Sequence, residues 1–459
     1  MKSVKELNKI ADDASKSVMQ TVGAIVDAQS FIESDKFIRS VTALGDAVGE
    51  GVVTGFATVN DAQVAVFAVN GEVLKGGVGK ANATKIAKCV NNAVKTGAPL
   101  IGIVDSLGAR FAEGIEAMEG YGAIINAFTL AYGNVPTILI IKGNNFGMLS
   151  YLTGLCDVTI CCDKSVTATS SPLILAAGST LDVAKVGTAS VMSENGIASV
   201  VTTSDAELGA TVKKVLSYFT DGIIASEDDG NRVCTGLGAG VDTATVISQV
   251  FDNGSFTELK KDYGKEVVTG FARLNGISVG VVAINANEKE GKICSDGAKK
   301  ASAMVNTCDN FGIPVVTLVD CKGVVNCVKC QGELMRSVSD LLYSYNVSSV
   351  AKVSLITGNA IGLGYVAFAS KSVFDYVIAW ENATVGLLDN EASAQLVYAD
   401  EIAKAENKEK ASEELAKAYG EENTAAVTVA EKGYIDNVIN PNFSRQYLIG
   451  AVQAFINKR

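Results

Sequence analysis

The sequence predicts a layered α/β protein made of two tandem domains that share one element order. Three observations carry this prediction. A short apolar strand running into a glycine motif occurs twice, at Thr137–Leu152 (TILIIKGNNFGMLSYL) and at Lys352–Phe368 (KVSLITGNAIGLGYVAF). Strand-like and helix-like segments alternate along both halves, the pattern of a layered α/β fold. The segment VVTGFA appears letter for letter at Val52–Ala57 and at Val267–Ala272, an offset of 267 − 52 = 215. The same step carries Thr96–Asp105 (TGAPLIGIVD) onto Phe311–Asp320 (FGIPVVTLVD), Gly143-Asn144 onto Gly358-Asn359, and Gly147 onto Gly362. A constant offset of this kind marks internal duplication. The preceding segment recurs at a shifted offset, AQSFIES at Ala28–Ser34 and NGSFTEL at Asn253–Leu259.

In chain order, residues 1 to 28 read as a helix, with Val4, Leu7, Ile10, Val18, Val22 and Ile25 at helical spacing. Gly51–Asn70 reads as a β-hairpin about a polar turn at Asn60-Asp61. A glycine-rich turn, Gly76–Gly79, opens an amphipathic helix that ends near Gly97. Its spacing is not that of a P-loop. A buried strand then ends at Asp105, and a glycine turn carries Arg110 and Glu113. A helix from Ala112 to Tyr132, the strand Thr137–Lys142, the strand Leu155–Cys162 and a helix Ala206–Phe219 complete the first half. The Gly- and Asp-rich stretch Asp221–Asp242 is the candidate linker. This places an N-terminal domain at residues 1–235 and a C-terminal domain at 236–459. Near the end, Ala399–Glu422 is a charged insertion that reads as one or two exposed helices.

Composition narrows the chemistry. The chain has 459 residues, 48% hydrophobic and 19% charged, enough for two fully buried cores. Its net charge is −11 and it has no basic tract, which argues against nucleic-acid binding. No apolar run reaches membrane-spanning length and no signal-peptide core is present, so a cytoplasmic location is expected. There is no histidine. That removes Ser-His-Asp triads, Cys-His dyads, histidine bases and histidine metal sites. The ten cysteines are read as reduced thiols. Cys327-Val-Lys-Cys330, with Cys321 upstream, forms one cluster, but a second ligand pair is missing, so no metal site is assigned.

Without histidine, the glycine motifs carry the chemistry. A strand that ends in a tight turn and starts a helix leaves unpaired backbone N–H groups, and these bind developing negative charge. Two such turns suit a reaction with two enolate-like partners, one stabilised at each.

At this level of detail the chain resembles the carboxyltransferase subunits of biotin-dependent acyl-CoA carboxylases and decarboxylases. The relatives are propionyl-CoA carboxylase β chains, the large transcarboxylase subunit, and the α subunits of methylmalonyl-CoA and glutaconyl-CoA decarboxylases. The residues that carry the likeness include GVVTGFATV, TGAPLIGIVDSLGARFAEGIEAMEGYG and LTGLCDVTICCD in the first half. In the second half they include DNGSFTEL, VVTGFARLNGISVGVVA, CDNFGIPVVTLVD, GYVAFASK, Trp380 and GYIDNVINP. The resemblance implies two tandem crotonase-like domains, each a ββα superhelix. The first would hold an acyl-CoA and the second would receive biotin borne on a separate carrier protein. The active site would form between domains of different subunits in a hexamer, a trimer of dimers, working with a biotin carboxylase or a membrane decarboxylase subunit.

By position, the resemblance puts one oxyanion hole at the N–H groups of Gly147 and Met148, for the thioester carbonyl. It puts the other at Gly362 and Leu363, for the biotin ureido oxygen. Gly108, Ala109 and Arg110 fall near the coenzyme A site, as do Gly76, Gly77 and Gly79. Val366 stands where many relatives have Asp, at a position linked to acyl and biotin pocket selectivity. Met148 and Leu363 stand where relatives often have a second glycine. The other reading is a non-catalytic paralogue that serves as an assembly partner.

Overall fold

Strands Val52–Val59 and Ala62–Val69 form the expected hairpin, with Val52 opposite Val69 and Val59 opposite Ala62. The turn residues Asn60 and Asp61 have φ of 50° and 66°. Both are left-handed, the backbone that fits the twist of a two-residue hairpin and that Asn and Asp tolerate. The Asp27 carboxylate accepts from both turn N–H groups, Asn60 at 3.1 Å and Asp61 at 3.0 Å. The hairpin belongs to a computed structural model that describes residues 3–39, 41–42, 45–177, 180 and 182–458. Positions 1 and 2 of the expected first helix lie outside that range; the helix itself runs Val4–Ile25, capped by Ser3 and Glu6.

The chain divides into two compact units, Met1–Thr220 and Asp221–Arg459. The division falls at the start of the Gly- and Asp-rich stretch, upstream of the expected boundary at 235/236. The reason is that the stretch packs within the second unit. Ile223 bridges to Ile277, Cys234 is buried, and Arg445 donates to the Asp229 carbonyl at 3.1 Å.

Within the first unit the sheet runs Ile32–Ser34, Val52–Val59, Ala62–Val69, Leu100–Ser106, Thr137–Phe146, Val158–Cys162, Val200–Thr202. The second unit's sheet runs Thr257–Leu259, Val267–Leu274, Ile277–Ile284, Val315–Cys321, Lys352–Ile361, Tyr376–Trp380, Asn437–Ile439. In each, the first three strands are antiparallel and the rest parallel. The four central strands of the two units start 215 residues apart (52 and 267, 62 and 277, 100 and 315, 137 and 352). The short first strands are separated by 257 − 32 = 225. The helices follow the same plan. Lys80–Thr96 buries Ala83, Ile86, Ala87, Val90 and Ala93, an apolar stripe at helical spacing, and ends at Gly97 with φ 71°. It packs on helix Ile115–Ala131, where a Cβ on Gly120 would sit 2.8 Å from the Ala83 Cβ. The expected Ala112–Tyr132 helix is broken at its start. A single 3₁₀ turn, Phe111–Glu113, and Gly114 (φ 51°) precede Ile115. The charged insertion forms two helices, Ala399–Lys404 and Lys408–Tyr419.

One local expectation changes. Gly143-Asn144 and Gly358-Asn359 are not turns; both pairs lie inside continuous strands, Thr137–Phe146 and Lys352–Ile361. Each strand's register against its neighbour shifts at an aspartate, between Val104 and Ser106 and between Val319 and Cys321. The displaced carboxylate is what the pair holds. Asp105 accepts from the Asn144 N–H, and Asp320 from the Asn359 N–H, each at 2.8 Å. A Cβ on Gly143 would lie 2.4 Å from the Asp105 carboxyl, and one on Gly358 would lie 2.5 Å from that of Asp320. Gly143→Ala is therefore expected to destabilise the first unit by about 1–3 kcal/mol, the usual cost of overpacking. Denaturant unfolding checks it, and an unchanged midpoint would show that the aspartate moves freely.

Candidate functional site

The turns themselves sit one step later. Strand Thr137–Phe146 ends at Gly147, whose φ of 74° suits glycine, and a 3₁₀ turn runs Gly147–Gly154. Gly147 and Met148 open that turn, so their N–H groups have no partner within it. Ser150 Oγ donates to the Gly147 carbonyl at 2.7 Å and fixes the turn's shape. Met148 is half-buried and packs its side chain against the first unit's core.

The loop after strand Leu100–Ser106 lies beside this turn. A Cβ built on Gly147 would stand 3.9 Å from the Gly108 Cα. The Gly108 carbonyl accepts from Val78, and the Arg110 N–H donates to the Val78 carbonyl, both at 2.8 Å. Extended backbone alternates its edges, so the Ala109 N–H faces away from Val78. Gly108 and Gly147 thus lie side by side, with Ala109 next along the loop.

Arg110 is placed differently. It is 3% exposed, and its guanidinium is committed inside the protein. Nε donates to the Gly77 carbonyl (2.8 Å), Nη1 to Glu50 Oε2 (2.5 Å) and Glu113 Oε1 (3.3 Å), and Nη2 to the Glu50 carbonyl (3.1 Å). Gly76, Gly77 and Gly79 are buried around this clamp. A Cβ on Gly76 would meet the Asp105 carbonyl at 2.0 Å, one on Gly77 the Arg110 Cγ at 3.0 Å, and one on Gly79 the Glu113 carboxyl at 2.3 Å. Their glycine identity is explained by packing against the loop. Lys80, which follows them, is exposed and pairs with Glu116 at 2.9 Å. Glu50 is the residue that sequence reasoning missed. Nothing local marks it, because its partner lies sixty positions along the chain.

In the second unit, strand Lys352–Ile361 ends at Gly362 (φ 54°), and helix Leu363–Phe368 follows. Here the two expected donors differ. The Gly362 N–H already donates to the Gly386 carbonyl at 2.8 Å, whereas Leu363 opens its helix and has no partner within it. Gly364 is pressed on the preceding loop: a Cβ there would meet the Cys321 carbonyl at 2.6 Å. Val366 is 51% exposed one helical turn on, at the mouth of this turn rather than inside the core. Tyr365, between them, directs its hydroxyl to the Tyr434 carbonyl at 3.4 Å.

The cysteines also depart from expectation. Cys327 and Cys330 form a disulfide, and the other eight are free. Burial pushes the thiols of Cys89, Cys161 and Cys321 up to about 12. Among the described residues no group of three or more Cys, Asp or Glu is placed to hold a metal ion, and no helix is long and apolar enough to cross a membrane.

Two repeated α/β units, each ending a long central strand in a glycine turn, define a tandem-domain class whose candidate site is that pair of turns. A profile of the carboxyl transferase domain matches residues 12–459, and the chain belongs to that family. It is 31% identical over 431 residues to the propionyl-CoA carboxylase carboxyltransferase subunit of Haloferax mediterranei, covering 90% of this chain and 84% of that one. It is 29% identical over 481 residues to the methylmalonyl-CoA decarboxylase α subunit of Propionigenium modestum, covering 99% and 93%. The structure superposes on transcarboxylase 12S, a hexamer solved with methylmalonyl-coenzyme A and methylmalonic acid bound. The TM-score is 0.92 at 27% identity, over 99% of this chain and 94% of that one. The fold is crotonase-like in both units, and the chain is a carboxyltransferase.

Proposed function

We propose that this chain moves a carboxyl group between biotin on a carrier protein and an acyl-CoA of the malonyl or methylmalonyl type. The observation that carries this reading is the matched pair of open turns, Gly147-Met148 and Gly362-Leu363, held in one frame by the 215-residue repeat. In the first domain, the Met148 and Ala109 N–H groups would donate to the thioester oxygen. They would stabilise the enolate that forms when the α-carbon loses or gains its carboxyl group. Half-buried Ala109 and the exposed Lys80 are the residues there open to coenzyme A, while buried Gly108, Arg110, Gly76, Gly77 and Gly79 shape their loop from behind.

Biotin, when bound, supplies the ureido nitrogen that carries the carboxyl. The residues present fit it: Leu363 offers a neutral backbone donor at a helix start, and Val366 gives an apolar rim. Neutral donors polarise an oxygen without needing a proton, so the absence of histidine costs the mechanism nothing. Exposed apolar side chains at Leu107, Phe111 and Ile115 in one unit, and at Leu387 in the other, support burial in an assembly. A hexamer built as a trimer of dimers, working with a biotin carboxyl carrier and with a biotin carboxylase or a membrane decarboxylase subunit, fits that demand. The direction of the reaction follows from which partner is present. A non-catalytic assembly role is not favoured, because both turns keep an open donor.

With biotinylated carrier, the purified protein is expected to exchange radiolabelled carboxyl between malonyl- or methylmalonyl-CoA and biotin. No label transfer across a panel of acyl-CoA esters would defeat the reading.

A further inference from the structure

We infer that Cys327 and Cys330 form a reversible dithiol–disulfide site that sets the order of the loop packed on the Gly362 turn. The repeat shows what the disulfide replaces. The loop Lys322–Cys330 corresponds, at the 215 offset, to Leu107–Ile115 of the first unit. There the loop is fixed by Arg110 between Glu50 and Glu113. The corresponding residues in the second unit are Val325, Lys265 and Val328, so no ion pair of that kind exists. The loop keeps its backbone bridge, with the Ile293 N–H donating to Gly323 and the Val325 N–H to Ile293, and is closed further along by the Cys327–Cys330 bond. A covalent clasp that can open stands where the first unit has a permanent one.

The loop reaches the site directly. A Cβ on Gly323 would lie 3.7 Å from the Ile361 carbonyl, the residue before Gly362, and the Cys321 carbonyl abuts Gly364. The clasp is also open to reagents. Cys330 is exposed, Cys327 is half-buried, and Val328 between them is 92% exposed. Cys330 occupies the N-cap position of the 17-residue helix Gln331–Val347, and Lys329 adjoins it. Cys321, nearby in sequence, is buried and held as a thiol, so it does not compete.

The chemistry balances with a small-molecule disulfide such as oxidised glutathione. One cysteine thiolate attacks the small disulfide, forming a mixed disulfide and releasing one glutathione thiolate. The second cysteine attacks the mixed disulfide, closes the Cys327–Cys330 bond and releases the second. The protein dithiol loses two electrons, the small disulfide gains them, and two protons pass to the released thiols.

The consequence for catalysis rests on the proposed role of the Gly362 turn; the redox site does not. The test equilibrates the full chain in glutathione buffers of graded ratio, counts thiols by alkylation and mass spectrometry, and follows amide exchange at 322–334 and 358–368. Reduction is expected to speed exchange at 358–368 by roughly threefold or more, as local opening of the loop becomes easier. The Cys327→Ser and Cys327→Ser/Cys330→Ser variants should show the fast rate in every buffer. Equal exchange in both redox states, or a pair that never interconverts, overturns the inference whatever the activity. Redox-dependent exchange in a protein that transfers no carboxyl group keeps the inference and defeats the proposed function.

Discussion

Replacing Met148 by proline is expected to lower carboxyl transfer by about 10²- to 10³-fold, the cost of removing one oxyanion donor. The substitution deletes the N–H together with the side chain packed on the core. Met148 is the second residue of a 3₁₀ turn, where the N–H has no partner inside the turn and proline is tolerated. Gly147 before it, at φ 74°, is already outside the helical region that proline denies its predecessor. Met148→Ala separates the two contributions, because it removes the side chain packed on the core and keeps the donor. The alanine variant should lose some stability and stay within ~10-fold of the parent rate, since backbone donors do not depend on the side chain. The mirror variant, Leu363→Pro, should spare acyl-CoA binding and abolish transfer to or from biotin. In that turn the neighbouring Gly362 N–H is spent on Gly386 and cannot substitute. Half-reaction kinetics with each ligand alone distinguishes the two. A proline variant as active as its alanine control would remove that turn from the mechanism.

The duplication was legible because each unit's central strands and glycines are local features, and any insertion between them would have broken the constant offset. The hairpin, the Gly97 helix end and the two exposed helices near residue 410 were legible for the same reason. Periodicity and turn chemistry are written in neighbouring residues. What the sequence hid was tertiary. Gly143-Asn144 looked like a turn because Gly and Asn are turn residues, and the carboxylate that explains them lies on another strand, at Asp105. Arg110 was placed near the coenzyme A site by resemblance alone, which says nothing of where its guanidinium points. Its burial depends on Glu50, a residue with φ 60° and 1% exposure that no local pattern announces. The occupied Gly362 N–H depends on strand Thr384–Gly386 folding back alongside Lys352–Ile361. Likewise, the disulfide was read as two thiols because composition speaks to compartment and not to where two side chains meet.

Arg110→Ala should be the most destabilising single change in the first unit, at roughly 3–5 kcal/mol, because it strands a buried carboxylate. Glu50 would lose its guanidinium partner and its carbonyl would lose a donor, while the Gly77 carbonyl would keep only the Asn82 amide. Against a typical total of about 5–15 kcal/mol, that loss should appear as early unfolding of residues 1–220 ahead of the second unit. Arg110→Lys should recover little, since one ammonium cannot replace three donors spread over Gly77, Glu50 and Glu113. The decisive measurement is a double-mutant cycle with Glu50→Gln, which leaves only the Glu113 carboxylate, still held by the Lys80 N–H, without a cation when Arg110→Met is added. The combined variant should be more stable than the sum of the singles predicts by about 1–3 kcal/mol, the range for residues in contact. Strict additivity would mean that the pair does not fix the loop. The clamp would then be a bystander, and the placement of Gly108 and Ala109 beside Gly147 would need another cause. If coupling is found, Arg110→Met/Glu50→Gln should also raise KM for acyl-CoA more than it lowers kcat, because a loosened loop weakens ligand placement while the Met148 donor stays in place.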